Sequence, residues 1–472
     1  MSNITSPNYR LSFFYILVLM ISFIFSSLTT STVQALVPKS KTFKHVNQGD
    51  LGYPEMEYGG GIYALNIYAH PFQLIFYGVG RDGFTLGLAM VTTRFQDLDS
   101  KFRWVWAANR GNPVHENSTL TFGTDGNLVL AEADGRVVWQ TGTANKGVVD
   151  LKLLPNGNLV LVDKSGGFVW QSFNHPTDTL LVGQSLVSGG KLVSRSSDDS
   201  DEGHYSMVLE NRKLGFYYND NKNAPNNKSL LYDEMSLLEE SSGEPIKETR
   251  VVKNVTFNHF YQEDTKKPRA HSHLLRLEFF NNAGDWGSTN LAQQKYNSSF
   301  SFLRLEPDGT LKVYTLYDVD IFFVPGQYFS PWEETYTYTS MCQLPEKCGS
   351  FGLCENNQCV ACPTPNGLIT TWNETCLPSK LPSCNINKGP SLQISYYKMV
   401  GVDHFSSRYE QGEGPMKVGE CKKKCSKDCK CVAFFFNKDT SKCLLLTTQL
   451  STLIKVINFD ASSHLAFIKY QK

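Results

Sequence analysis

The sequence predicts a mostly β protein, built on a repeated prism-like unit and closed by small disulfide-stapled modules. Three observations carry this. One unit is written twice: Asp125-Gly-Asn-Leu-Val-Leu and Asn156-Gly-Asn-Leu-Val-Leu set Asn127 and Asn158 31 residues apart, and Trp139 and Trp170 repeat at the same interval. A third tryptophan, Trp106, lies 33 residues before Trp139. Self-similarity at a fixed period marks one supersecondary unit stacked on itself. Short runs of β-branched and aromatic residues between Gly, Asp and Asn turns then extend through most of the chain, the pattern of an all-β domain. Finally, all 12 cysteines lie between Cys342 and Cys443, so the earlier part is held by its core and the later part by disulfides.

The 472 residues suggest about three domains at ~150 residues each. Residues 1–35 stand apart: Arg10 precedes the apolar run Leu11–Phe25, and small residues lead to Val33-Gln34-Ala35. That is a secretory signal peptide, with a signal anchor as the rival because the run is long. No later run reaches the ~18 apolar residues of a spanning helix, and the ending His464-Leu-Ala-Phe-Ile-Lys-Tyr-Gln-Lys is too short and charged for a lipid-anchor signal. The expected location is extracellular. Without the leader, 44 basic residues face 45 acidic ones, which gives no pull towards nucleic acid or an anionic membrane. Lys422-Lys-Lys424 reads as a solvated helix face. Sequons at Asn117, Asn227, Asn254, Asn297 and Asn373 point to a glycoprotein.

Residues 36–180 form the first predicted domain. Leu36–Gly61 is irregular and reads as an extended arm. Strands follow at Ile62-Tyr-Ala-Leu-Asn-Ile-Tyr, Gln73-Leu-Ile-Phe-Tyr and Phe84-Thr-Leu-Gly-Leu-Ala-Met. Gly78-Val-Gly-Arg-Asp-Gly83 matches a dinucleotide fingerprint by letter, but that fingerprint needs a helix opening behind it. Here a strand continues, so the segment is a hairpin turn. In the two repeats, Asp125-Gly126 and Asn156-Gly157 supply tight turns. Period two then puts Leu128 and Leu130 on the core face with the tryptophans, and Asp125, Asn127 and Val129 on the other.

The segments Trp104-Val-Trp-Ala-Ala-Asn-Arg-Gly-Asn-Pro-Val, the two Asn-Leu-Val-Leu blocks and Phe168-Val-Trp-Gln-Ser-Phe-Asn-His-Pro-Thr-Asp-Thr-Leu-Leu resemble the bulb-type lectin domain of monocot mannose-binding lectins. They are more similar still to S-locus glycoproteins and S-domain receptor kinase ectodomains, and within these to the epidermis-specific secreted glycoproteins of plants. The resemblance runs from about residue 45 to the C-terminus. It implies a β-prism of three four-stranded sheets, each able to carry a mannose pocket of pattern Q-x-D-x-N-x-V-x-Y, in which alternate residues of one strand converge on a sugar. This sequence departs from that pattern. The first copy keeps Asp125, Asn127 and Val129 but has Gly123 and Ala131 in place of the glutamine and tyrosine. The second keeps Asn158 and Val160, with Leu154, Asn156 and Val162 elsewhere. No third copy is recognisable around Phe72–Met90. Asp125, Asn127, Val129, Asn158 and Val160 are therefore degenerate sugar-site candidates, in a motif whose main role is structural.

Residues 181–340 read as a second lectin-like lobe. Hairpins are expected at Gly203–Glu210 with Leu214–Tyr218, and at Ser299–Glu306 with Leu311–Tyr317 around Pro307-Asp-Gly-Thr. Glu306-x-Asp308-x-Thr310-x-Lys312-x-Tyr314 resembles a decayed lectin motif. Segments 194–203 and 219–230 read as loops, and His271 and His273 as exposed strand residues, since no ligand cluster stands nearby. Residues 341–383, with Cys342, Cys348, Cys354, Cys359, Cys362 and Cys376, resemble the EGF-like module of S-domain proteins. Cys359-Val-Ala-Cys362 lacks both the second pair of a zinc ribbon and the context of a redox site. Residues 384–472, with Cys384, Cys421, Cys425, Cys429, Cys431 and Cys443, resemble a PAN/apple module. Cys421 and Cys425 share a helix face, and the resemblance implies pairs Cys421–Cys443 and Cys425–Cys431.

No nucleophile elbow, zinc-protease helix or phosphate loop is present, so no enzyme activity, metal or cofactor is expected. Two functions remain. One is a cell-wall or apoplast glycoprotein that binds glycans or glycoproteins. The other is a structural or protein-interaction wall glycoprotein without sugar binding, its partners other apoplastic proteins or receptor ectodomains.

Overall fold

The computed structural model describes residues 36–471, apart from residues 59, 80–82, 92–100, 197–200, 220–228, 238–250, 264–270, 295–298, 318–330, 339, 374–375, 382–393, 448–449 and 458–459. The predicted leader, Asn227, Asn297 and Cys384 lie outside the described residues.

The chain is mostly strand. A first prism consists of three antiparallel sheets. One contains Phe43–Val46, Thr119–Phe122, Leu128–Ala131 and Val137–Gln140. Another contains Ile62–Ala69, Phe72–Val79, Gly83–Met90 and Arg103–Ala107. The last contains Asp150–Leu153, Leu159–Val162 and Phe168–Gln171. Part of the expected arm is thus the edge strand Phe43–Val46, whose Phe43 opposes Phe122. Phe43-Lys-His-Val46 does not alternate apolar and polar residues, so its period announces no strand. The glycine-rich segment joins two antiparallel strands with Val79 opposite Gly83, as a hairpin requires.

The repeats meet at the prism axis. Trp106, Trp139 and Trp170 contribute one ring from each sheet, edge to face, at centroid separations of 5.9, 6.1 and 5.9 Å. Leu120, Leu128, Leu130, Leu159 and Leu161 fill the space around them. Gly157, at φ +85°, cannot be replaced: a Cβ there would stand 2.6 Å from Leu181 and 2.7 Å from Phe72.

A second prism has three four-stranded sheets drawn from Thr179 to Tyr338. Its first strand, Thr179–Leu181, straddles the boundary expected at residue 180. Both hairpins predicted here form, with Tyr205 opposite Tyr218 and Leu305 opposite Leu311. The sheet of Thr179–Leu181, Ser299–Leu305, Leu311–Tyr317 and Trp332–Tyr338 is buried on both sides. Leu303, Leu305, Leu311 and Val313 face the second core, while Phe302, Tyr314, Leu316 and Trp332 join the first. The two prisms therefore pack through a shared layer.

The C-terminal modules also share structure. Phe351–Glu355 runs parallel to Ser451–Lys455, which pairs antiparallel with Val402–His404. One mixed sheet thus joins the EGF-like strands to the PAN-like strands across the boundary expected at 383. Bonds Cys342–Cys354, Cys348–Cys359 and Cys362–Cys376 staple the first module. Cys421–Cys443 and Cys425–Cys431 staple the second, anchoring the Val418–Lys427 helix through its two buried cysteines. Cys429 is also disulfide-bonded. Lys422, Lys423 and Lys424 lie on the exposed side of that helix.

Candidate functional site

The sugar-motif residues occupy equivalent turns in the two repeats. Asp125 Oδ1 accepts from the Asn127 amide at 3.1 Å, and Asn156 Oδ1 from the Asn158 amide at 3.2 Å. Each asparagine then reaches across its sheet. Asn127 Nδ2 donates to Gln140 Oε1 at 2.8 Å, and its Oδ1 accepts from Thr141 Oγ1 and the Thr143 amide at 3.0 and 3.1 Å. Asn158 repeats this with Gln171 at 2.8 Å and with Ser172 Oγ and the Phe173 amide at 3.3 Å each. A carboxamide offers two donors and two acceptor positions, so three of the four are taken in both copies. These side chains are 6% and 3% exposed. Each clasps its strand to the segment leaving the tryptophan strand.

Replacing Asn127 by Ala strips these partners of their bonds at a buried position. The expected cost is about 1–3 kcal/mol, read as a shift of the denaturation midpoint with no sugar present. An unchanged midpoint would show that Asn127 is no clasp.

The three outer faces of the first prism differ in access. Around Leu159–Val162 the middle of the face is buried, with Val160 fully buried and Val162 5% exposed, while Lys152 and Phe168 on the flanking strands are exposed. Beside Phe72–Val79, Tyr77 stacks on Trp104 at 3.7 Å, and both are buried with Ile75 and Ala89. The face carrying Val129 is open through its middle strand as well: Lys44, Thr121, Val129 and Gln140 lie in register across it, with Lys44 and Gln140 exposed and Thr121 and Val129 half-exposed. The structure brings Asp125, Asn127 and Val129 together on this face and separates them from Asn158 and Val160. Asp125 Oδ1 stands 2.7 Å from where a Cβ on Gly123 would be, so the aspartate fills the space of the missing glutamine.

The motifs that carry the family resemblance lock the scaffold. Asn109 Oδ1 accepts from the Leu86 amide at 2.8 Å, and its Nδ2 donates to Phe84 and Asn112 carbonyls. Trp106 Nε1 donates to the His175 carbonyl at 2.9 Å. Arg110 pairs with buried Asp178 and donates to the Val193 carbonyl at 2.7 Å, tying the first prism to the second.

Sequence reasoning missed a buried charge cluster in the shared layer. Arg304 holds Glu57 with two bonds, Nη2–Oε1 at 2.7 Å and Nη1–Oε2 at 2.9 Å, and donates from Nε to Glu306 at 2.9 Å. Arg103 also pairs with Glu57. Burial pushes the Glu57 carboxyl up, but the two guanidiniums outweigh it and hold it below its ordinary value. Burial keeps Glu306 above its ordinary value despite Arg304. Two carboxyls with opposed shifts are a common acid–base arrangement, yet both are buried against arginines and neither opens to a substrate. Glu306 and Tyr314, from the decayed motif, face this interface. The only signal was a charged residue at an alternating position in an apolar strand.

In the PAN-like module, a recess of about 190 Å³ is lined by Asp403, Ser407, Asn437, Lys442 and His464. Ser407 donates to Asp403 Oδ1, while His464 Nδ1 meets Asp403 Oδ2 at 2.8 Å. Serine and histidine are thus held by one carboxylate, and the other histidine nitrogen faces Asn437 at 3.4 Å. That is not the relay of a hydrolase, in which the base touches the nucleophile. Among the described residues, no group of three or more His, Cys, Asp or Glu side chains is placed to hold a metal. His273 packs beside His259, with ring centroids 4.7 Å apart.

Comparison with known proteins agrees with this architecture. Residues 103–196 match the D-mannose binding lectin family and residues 400–453 the PAN-like domain. EP1-like glycoprotein 1 of Arabidopsis thaliana is 42% identical over 465 residues, spanning 94% of this chain and 97% of its own. Epidermis-specific secreted glycoprotein EP1 of Daucus carota is 46% identical over 389 residues, spanning 78% and 93%. Putative receptor protein kinase ZmPK1 of Zea mays is more distant, at 27% identity over 79% of this chain and 42% of its own length. With two prisms, a PAN-like module and this degree of identity along nearly its whole length, the chain belongs to the EP1-like glycoproteins, a lectin-type family.

Proposed function

We propose that this protein is a secreted, non-enzymatic glycoprotein of the plant cell wall or apoplast that binds glycans or glycoproteins through its first prism. The observation that carries this reading is a prism face open across its whole width, with Lys44, Thr121, Val129 and Gln140 exposed or half-exposed in one row beside Asp125. The secreted glycoprotein name of the carrot relative supports the compartment, and no helix among the described residues is long and apolar enough to cross a membrane. The face is shallow and lacks the motif's glutamine and tyrosine. At about 0.5–1.5 kcal/mol per net hydrogen bond, it holds a single mannose weakly, and an extended glycan or glycoprotein is the fitting ligand.

An array of plant glycans and wall polysaccharides tests this. Extended glycans are expected to bind with free mannose near background, and Gln140→Ala to reduce that binding. Strong binding of mannose alone, abolished by Asn127→Ala, would overturn the weak-site reading. A second reading, a structural or protein-interaction glycoprotein without sugar binding, is favoured by the committed Asn127 and Asn158 carboxamides. Pull-down from wall extract with and without an excess of the extended glycans that score on the array separates the two, since only sugar-dependent capture is lost to that competitor. Release of sugar from wall polysaccharides would refute the non-enzymatic assignment.

A further inference from the structure

One sheet of the second prism, formed by Ser185–Val187, Val252–Glu263, His271–Asn281 and Trp286–Gln293, turns Val255, Phe257, Leu275, Leu277 and Phe279 into the core. Its other face should be polar, but Phe260 is 47% exposed near one end and an apolar row lies near the other. A single row crosses all four strands: Val187 opposes Asn254, Asn254 opposes Phe280, and Phe280 opposes Trp286. Val187, Phe280 and Trp286 are 61%, 44% and 53% exposed. Phe280 and Trp286 are adjacent, and neighbouring large apolar side chains open to water mark a surface that something covers.

The row also names its cover. Its fourth member, Asn254, opens the sequon Asn254-Val255-Thr256. Asn254 is half-buried and its Oδ1 lacks a hydrogen-bond partner, while the Thr256 hydroxyl is bonded to Ser185 at 2.7 Å. Directly opposed cross-strand side chains are about 5 Å apart at Cβ, so Phe280 lies one strand from Asn254 and Trp286 two. The adjoining level is polar. Arg276 lies over the Phe260 and Trp286 rings at 4.4 and 5.2 Å and donates to Glu278 at 2.7 Å, whose other oxygen accepts from Asn258 at 2.9 Å.

We propose that Asn254 carries an N-linked glycan whose first sugars lie across Phe280 and Trp286, so that the chain's own carbohydrate covers this face. In the transfer, the Asn254 amide nitrogen bonds to the anomeric carbon of an N-acetylhexosamine carried on a lipid diphosphate. The anomeric carbon–oxygen bond breaks, and the diphosphate leaves with the amide proton. The apolar C–H face of a pyranose matches the apolar face of an exposed aromatic ring, and its hydroxyl edges reach Arg276, Asn258 and Glu278. Asn117 and Asn373 are exposed elsewhere, and their glycans serve as internal references. The inference rests on the extracellular reading, and Asn117 and Asn373 report failure of that reading separately.

The full chain, secreted from plant cells, is analysed by glycopeptide mass spectrometry and by release of glycans from the native protein with a peptide amidase. Asn254 is expected to be occupied, and its glycan to be released about tenfold more slowly than that of Asn117. In a Phe280→Ser/Trp286→Ser variant, both at exposed positions, that difference should vanish. An empty Asn254 beside an occupied Asn117, or equal release rates in the unaltered protein, overturns the proposal. So does dimerisation through this face with Asn254 unmodified. If the double variant is not secreted, the comparison within the unaltered protein still decides.

Discussion

Replacing Arg304 by Met is expected to destabilise the protein by about 3–5 kcal/mol, the cost of removing one partner from a buried ionic network. Its guanidinium touches Glu57 and Glu306 and donates to the Trp104 carbonyl at 3.1 Å. Without it, Glu57 keeps Arg103, but Glu306 is left buried without the arginine that faces it. The damage should concentrate between the prisms, because Glu57 and Trp104 belong to the first and Arg304 and Glu306 to the second. Limited proteolysis should therefore find a new cleavable region near the shared layer, and the denaturation midpoint should fall. Arg304→Met combined with Glu306→Leu removes the stranded carboxylate and should recover part of the loss, as apolar replacement of whole buried ion sets often does. A single variant as stable as the parent, with unchanged protease sensitivity, would refute the role assigned to the cluster.

Much of the fold was legible because it repeats. The 31-residue interval identified the two sheets whose tryptophans meet at the axis, and Asp-Gly and Asn-Gly pairs located their turns. The sheet Ile62–Ala107 escaped the repeat because its outer face is buried too. Ile75, Tyr77, Ala89 and Trp104 form a buried apolar cluster with Met56 and Phe102, and Arg195 and Arg304 of the second prism reach Tyr77 and the Trp104 carbonyl, so no sugar pattern stands there to be matched. The strand Phe43–Val46 was illegible because its residues do not alternate and no repeat marks it, unlike the equally short Leu128–Ala131. The site was less legible than the fold. Asn127 and Asn158 stand at sugar-motif positions, but their use as clasps depends on Gln140, Thr141, Thr143, Gln171 and Ser172, brought near only by the turn back along the sheet. The interprism charges depend on residues as distant as Glu57 and Arg304, a pairing that no local pattern encodes.

The second large effect is one of pH. His404 is buried against Phe405 and Phe435, with ring centroids at 4.2 and 5.6 Å. Both ring nitrogens are engaged: Nδ1 accepts from the Ser406 hydroxyl at 2.8 Å and the Ser406 amide at 3.3 Å, and Nε2 lies 3.1 Å from the Leu450 carbonyl, to which it donates. A second ring proton would have to sit on Nδ1, where it breaks the bond from the Ser406 amide and turns the Ser406 hydroxyl from donor to acceptor. Burial pushes the imidazole down to about 3, against a weaker pull upwards from the Leu450 carbonyl. The unfolded chain takes up that proton near pH 6.5. The unfolded state thus binds more protons between these values, and the contribution of neutral His404 is complete above about pH 6.5. It is lost as pH falls towards 3, at up to about 1.4 kcal/mol per pH unit. His404→Gln keeps an N–H donor for Leu450 and removes the titration. It should be less stable than the parent at pH 7.5, and its stability should fall less between pH 6.5 and 4. Other groups titrate alike in both proteins, so the difference in slope isolates this residue; parallel curves would remove His404 from the account. The consequence is local. Val402–His404 pairs with Ser451–Lys455, the strand that also carries Phe351–Glu355, and Phe405 enters the core of the second prism. Protonation at this point loosens the junction where EGF-like strand, PAN-like strand and prism meet, so the C-terminal modules should come free of the prisms in acid before the tryptophan-centred scaffold opens.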